Sequence, residues 1–186
     1  MAFWNDGIGK NGPASVSASR RGNVSAKTAP RKYYTSRDDQ QTFDAIQPSF
    51  SATAGNYVQY LKNTSTSKNL YIDDVFCSSL NAAVFKVWEV TGTAAAGTTI
   101  SPSNMNLASG LEAEAVSMGG GSAITGLTVV KQVGHLRVSD ASHDDKEYNG
   151  ALILGPNKAI AIEYDTGTTG LCETYIEFHY EIIGAT

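Results

Sequence analysis

Near its C-terminal end the 186-residue chain reads Cys172-Glu173-Thr174-Tyr175-Ile176-Glu177-Phe178-His179-Tyr180-Glu181-Ile182. Cys172, Thr174, Ile176, Phe178, Tyr180 and Ile182 share one parity, and Glu173, Tyr175, Glu177, His179 and Glu181 share the other. Successive side chains of a strand point to opposite faces, so this alternation predicts a strand with one buried and one wet face. His179 then stands on the wet face among glutamates, where a cross-strand partner is its ordinary fate.

Working back from this strand, similar signals recur at short intervals. Residues 159–164 and the apolar run Ala151-Leu152-Ile153-Leu154 flank the turn Gly155-Pro156-Asn157-Lys158, which predicts strand, tight turn and strand. Residues 128–138 read as one long strand bent at Gly134. Residues 84–90 form a strand with Trp88 as a core anchor, and residues 57–63 reverse through a turn-rich stretch into a strand from Leu70. Further strand character begins at residues 31–34. Residues 91–103 and 139–149 read as loops. Residues 105–118 are the one helix candidate, through Leu107, Leu111 and Ala115, weakened by Gly110 and by Gly119 to Gly121. Seven or eight short strands and no crossover helices predict an all-β, antiparallel, jelly-roll-like sandwich and exclude a parallel α/β sheet. Composition agrees, with 18 Gly and only 17% charged residues.

Residues 3–30 show neither strand nor helix period and are rich in Gly, Ser, Ala and Asn. The division expected is a basic extended arm, residues 1–37, on a sandwich body, residues 38–186. The net charge of −4 hides an asymmetry between the two. The arm holds Lys10, Arg20, Arg21, Lys27, Arg31, Lys32 and Arg37 against Asp6 alone, a net +6, and the body is left at −10. A basic tail on an acidic body predicts a partner with an acidic surface, or packing of an arm onto the body of another copy. Of these cations Arg20, Arg21, Lys27, Arg31, Lys32 and Arg37 are the candidate partner-binding residues, together with Phe3 and Trp4, whose rings near the chain end suit a neighbour's pocket. Tyr33 and Tyr34 between Arg31, Lys32 and Arg37 resemble a stacking platform for single-stranded nucleic acid, but anchoring of the arm is the expected role and nucleic acid is not an expected partner.

No motif points to catalysis. Gly7-Ile8-Gly9-Lys10-Asn11-Gly12 spells a dinucleotide fingerprint without the preceding strand or following helix that would make it work. Asp140-Ala141-Ser142-His143-Asp144-Asp145-Lys146-Glu147, with His135 nearby, is the richest titratable stretch; it lacks ligand spacing, so a solvated loop is expected rather than a calcium site. Asp73 and Asp74 are adjacent, and neighbours in a strand diverge. Cys77 and Cys172 leave their pairing open, with two buried thiols the expected state. We therefore expect no enzyme, no catalytic residues, no metal and no cofactor. No stretch approaches the roughly 18 apolar residues of a membrane span, and residues 1–10 lack the blocks of a secretion signal, so synthesis in a cytoplasm and no membrane partner are expected.

Several stretches resemble a family of tailed-phage virion structural proteins. They are Tyr33-Tyr34-Thr35-Ser36-Arg37-Asp38-Asp39, Ala54-Gly55-Asn56-Tyr57-Val58, Tyr60-Leu61-Lys62-Asn63-Thr64 with Lys68-Asn69-Leu70-Tyr71-Ile72, residues 88–92, residues 150–156 and Ile176-Glu177-Phe178-His179-Tyr180. The resemblance implies a β-sandwich on the particle surface, a capsid decoration (cement) protein that meets the major capsid protein or neighbouring virion proteins as a homo-oligomer, trimer or dimer. It brings no catalytic residues. The alternative expectation is a carbohydrate- or receptor-binding module of a head fibre or tail component, with Trp88, Tyr148 and Tyr175 stacking on sugars.

Overall fold

In the computed structural model the described residues are Trp4, Asn5, Asn11, Gly12, Ser36 and 39–183, without side chains for the first four or for residues 121–122. The chain divides into two compact units, residues 1–30 and 31–186. In the first, β1 (Trp4–Asn5) and β2 (Asn11–Gly12) form an antiparallel ladder, Trp4 opposite Gly12. The strand character expected at residues 31–34 lies outside the described residues.

The body is built of β3 (Thr42–Ala52), β4 (Asn56–Asn63), β5 (Lys68–Ser79), β6 (Ala83–Ala95), β7 (Thr98–Ile100), β8 (Ser103–Asn104), β9 (Ala115–Val138), β10 (Ser142–Leu154), β11 (Ala159–Gly167) and β12 (Gly170–Ile182). Sheet 1 has the order β10-β5-β12-β3-β8 and sheet 2 the order β4-β11-β6-β9-β7. The long strands pair as nested antiparallel couples: β3 with β12, β4 with β11, β5 with β10, β6 with β9. The two halves of the chain thus form one ribbon, folded back at residues 96–114 and rolled so that successive couples fall in alternate sheets. That is a jelly roll, and the expected all-β sandwich is found.

The alternation read in residues 172–182 is what faces the sheets onto each other. Cys172, Thr174, Ile176, Phe178 and Tyr180 are all buried, and Ile182 at the strand end is exposed. They meet Phe43, Leu70, Ile72, Val75 and Cys77 of sheet 1 and Phe85, Val87, Leu136, Ile160, Ile162 and Tyr164 of sheet 2 in one core. Rings of Phe43 and Phe178 stack with centroids 5.7 Å apart, and Tyr180 meets Phe43 edge-on at 5.8 Å. Gln59, buried in β4, ties the sheets together by donating Nε2 to the Ala45 carbonyl, 2.7 Å away.

Sheet 2 also carries apolar residues on its far face. Its strand β9 pairs first with β4, Ala115 opposite Asn63 through Ile124 opposite Tyr57, and then with β6, Thr125 opposite Ala95 through Val138 opposite Ala83. This change of partner curls the sheet around a second, smaller core of Tyr60, Val90, Ile124, Ala159 and Ala161. Two glycines make the change sterically feasible. Gly92 and Gly126 have φ of 101° and 77°, and a Cβ on either would lie 2.2 or 2.3 Å from a carbonyl oxygen of the other strand. Gly134 sits at a bulge opposite Val87, where a bend was expected.

Several expectations fail for physical reasons. Residues 105–118 form no helix: β9 begins at Ala115, and Gly119 and Gly120 serve as strand residues whose missing Cβ atoms make room for Gln47 and Phe50. Residues 91–103 are not one loop, because β6 runs on to Ala95 and β7 and β8 follow. Residues 142–149 belong to an edge strand, where polar side chains face solvent on a hydrogen-bonded backbone. The turns after β4 and β10 close no hairpins; each carries the chain to the opposite sheet. β3 carried no recognised signal, because Pro48 interrupts its pattern; it lies in a bulge between the pairs Gln47–Thr174 and Phe50–Cys172.

Gly126→Ala must therefore force the crossing of β6 and β9 apart. We expect a loss of more than about 1 kcal/mol in urea denaturation, against a change within about 0.5 kcal/mol for Gly110→Ala, whose new Cβ meets nothing within 4 Å.

Candidate functional site

Among the expected partner-binding residues, Phe3, Arg20, Arg21, Lys27, Arg31, Lys32 and Arg37 lie outside the described residues, and Trp4 is described by its backbone in β1. The titratable groups that the fold gathers are elsewhere, on the face of sheet 1 turned away from sheet 2.

Strand pairing aligns Glu147 with Asp74, Asp74 with Glu177, and Glu177 with Asp44. Four carboxylates from β10, β5, β12 and β3 therefore form one row, since directly paired residues share a face at a Cβ separation of about 5 Å. Two ionised groups at that distance repel by about 1–3 kcal/mol at effective dielectric constants between water and protein surface. The Asp74 carboxyl is held above the usual carboxylate range by partial burial, then by Asp145 and Glu177, against lowering hydrogen bonds from the Val75 backbone and the Tyr175 hydroxyl. In the next row Asp145 stands beside Phe76, Tyr175 and Ile46. Phe76 stacks on Tyr175 at 4.9 Å and on His143 at 5.3 Å. Burial and the carboxylates push the Tyr175 hydroxyl up to about 12.

Beside the carboxylate row lies a buried pair. His179 is 1% exposed, stacks on Tyr71 with centroids 5.2 Å apart, and places Nδ1 2.7 Å from Asp73 Oδ2. Its Nε2 is 3.4 Å from Glu181 Oε1. The expectation of a solvent-facing His179 is thus corrected, because the face is covered at this end. The expectation that Asp73 and Asp74 diverge fails too. Phe178 pairs with Ile72 and Glu177 with Asp74, so Asp73 is an extra, bulged residue on the same side as Asp74. A matching irregularity in β10 between Glu147 and Leu152 contains Asn149 and Gly150, both at positive φ, and brings Gly150 next to His179.

Sheet 2 distributes charge differently. Lys86 Nζ lies 2.6 Å from Asp165 Oδ1 and Trp88 Nε1 donates to Glu163 Oε2 at 2.7 Å on its outer side, and Lys131 and Lys158 flank Glu89 at 3.3 and 3.5 Å on the face that Glu89 shares with Ile160. Cations and anions alternate there, whereas the four-residue row on sheet 1 is carboxylate throughout. The three aromatics considered for sugar stacking do not meet. Trp88 is on sheet 2, Tyr175 on sheet 1, and Tyr148 donates its hydroxyl to the Val133 carbonyl. Among the described residues no group of three His, Cys, Asp or Glu side chains has metal-holding geometry, and no helix is long and apolar enough to cross a membrane. Asn63 is buried, its Nδ2 donating to the Lys68 and Leu154 carbonyls.

Cys77 and Cys172 are free and buried, as expected. Burial pushes the Cys77 thiol well above its ordinary range, and the Cys172 thiol up to about 12. Thiolate is the reactive form, so a thiol reagent should find neither cysteine in the native protein at neutral pH and both after denaturation. For the buried pair, Asp73→Ala should leave the imidazole without its partner and cost about 1–3 kcal/mol; a double-mutant cycle with His179→Ala should return a coupling of at least about 0.5 kcal/mol, and a coupling of zero would make the contact energetically idle. In comparisons with known proteins, no family model and no curated protein matches the chain.

Proposed function

We propose that the protein is a structural component of a tailed-phage virion, a decoration protein that stabilises the head, with the major capsid protein or neighbouring virion proteins as partners and further copies of itself beside it. The observation that carries the reading is the separation of charge along one chain: +6 in residues 1–37 and −10 in a jelly-roll body. The resemblance in residues 33–180 supports the same assignment. The role is mechanical rather than catalytic.

An arm of 37 residues can reach at most about 120 Å, while a body of this size has a radius of gyration near 14 Å, an order-of-magnitude figure from chain length. One copy could therefore clamp several subunits of a shell. Ordering the arm costs roughly 1–2 kcal/mol per residue in backbone entropy, so contacts must be numerous or repeated by symmetry to offset it.

Deleting residues 1–30 removes one compact unit and leaves the other whole. The truncated protein should keep the circular dichroism of the body and lose binding to particles that lack the native copy, with intact protein binding more weakly as salt rises. Undiminished binding of the truncated protein, or absence of the intact protein from purified particles, would overturn the proposal.

A further inference from the structure

Residues 90–111 and 115–130 contain no Asp, Glu, Lys, Arg or His. At the chain's overall 17% charged residues, about six would be expected there. The same stretches hold half of the exposed large apolar side chains among the described residues: Met105, Leu107, Leu111, Val116, Val129 and Val130. Strand pairing brings the two stretches together. β7 pairs with the first half of β9, Thr98 opposite Gly119 through Ile100 opposite Ser117, and the end of β6 pairs with the middle of β9, Thr91 opposite Thr128 and Ala95 opposite Thr125. At the turn between β6 and β7, a Cβ on Gly97 would lie 3.0 Å from Met118 and Ile124. Of the two carboxylates between the stretches, Glu114 is paired with Lys68. Glu112 borders a cavity of about 340 Å³ whose other walls include Thr99, Ile100, Pro102, Ala113 and Val116.

The loop that leaves this cavity at Pro102 and returns to it at Glu112 carries Leu107, which is 92% exposed. Hydrogen bonds hold the loop in that shape. Asn104 Nδ2 donates to the carbonyls of Gln40 and Leu111 at 2.9 and 3.2 Å, and Asn104 Oδ1 accepts from the Asn106 amide. Asn106 Oδ1 accepts from the Ala108 amide, and Ser109 Oγ from the Leu111 amide. Side-chain turns of this kind fix the backbone locally, so the leucine is presented with little left to order on binding. A knob and a hollow thus stand near each other on an almost uncharged surface, in a body whose net charge is −10. That distribution selects the occupant. A partner drawn by charge meets the acidic face of sheet 1, whereas two copies of this chain repel across that face and meet here with little like-charge contact. Depletion of charge is also what marks the buried centre of protein interfaces. We propose that this surface is the contact between copies of the protein, with Leu107 of one copy seated in the cavity beside Val116 of the next. Repeated by a two-fold axis or around a ring, the contact fills every hollow with a neighbour's leucine. It rests on the reading above only in that copies stand side by side, and it is measured without particles, so loss of self-association and loss of particle binding are separate outcomes.

Sedimentation equilibrium of the full-length protein should show concentration-dependent association that holds steady or strengthens as sodium chloride rises to about 1 M, because screening removes net repulsion and the contact contains no ion pair to lose. Leu107→Ser and Val116→Ser should each weaken the association by about tenfold or more, with circular dichroism unchanged. Leu107→Ser alters a loop residue, so it decides the test should Val116→Ser destabilise β9. Leu171→Ser, at an exposed leucine of β12 outside this surface, should leave the association as it was. Association that dissolves in salt would assign the contact to charged groups, and equal weakening by Leu171→Ser would assign it to sheet 1. Either result would overturn the proposal, as would undiminished association of the folded Leu107→Ser variant or a protein that stays monomeric up to about 1 mM.

Discussion

Everything in the body depends on the pairing of the two halves of the chain into one ribbon. β3 cannot be satisfied without β12, nor β4 without β11, and each couple brings together residues from opposite ends of the sequence. Because the couples fall in alternate sheets, every core residue contributed by one strand is covered by a strand of another couple. Phe43 meets Phe178 within its own couple, but both need Phe85 and Ile162 from sheet 2 to be sealed from water. No contiguous fragment can bury its own apolar face, so the core forms with the whole ribbon or not at all. Folds of this kind are dominated by non-local contacts and fold slowly for that reason.

The same pairing governs where charge ends up. Asp44, Asp74, Glu147 and Glu177 are scattered through the sequence and stand in one row because the ribbon's register leaves them no choice. A shift of one residue in any of the couples would turn a carboxylate into the core and an apolar residue out, at a cost far above the repulsion within the row. Apolar burial thus wins over electrostatics in setting the register, and the acidic face is what that victory leaves on the surface. Sheet 2, where lysines stand beside carboxylates, carries no such debt.

Strand identity was readable where one face is apolar and the other wet, as in β12, β5 and the second half of β9, and in β11 as a short apolar run buried on both faces. It was hidden where strand chemistry departs from that alternation. The acidic half of β10 looks like a loop because an edge strand can be polar on both faces. The first half of β9 offers Leu107, Leu111 and Ala115 at a helical interval, and only the space occupied by Gln47 and Phe50 explains why glycines follow. The route of the chain between sheets leaves no local trace at all, since a turn such as residues 155–158 serves a hairpin or a crossing equally well. The same is true of the carboxylate row and of the Asp73–His179 pair. Both depend on which residue of one strand faces which of another, and the pair depends in addition on a bulge that puts two adjacent aspartates on one side. Cysteine burial, by contrast, followed from residue type alone.

The opposition of Thr42 and His179 has a mechanical consequence. The start of β3 and the end of β12 lie side by side, so the segment leading in and the segment leading out share one corner of the body. Tension applied between those two segments peels β3 from β12 one hydrogen-bonded pair at a time, the geometry of a zip. Tension between the leading segment and the opposite end of the sheet loads all the pairs of that couple together, in shear. The body is therefore compliant to one direction of pull and stiff to the other, and a tether that leaves from this corner works best when its load is carried through the far end of sheet 1.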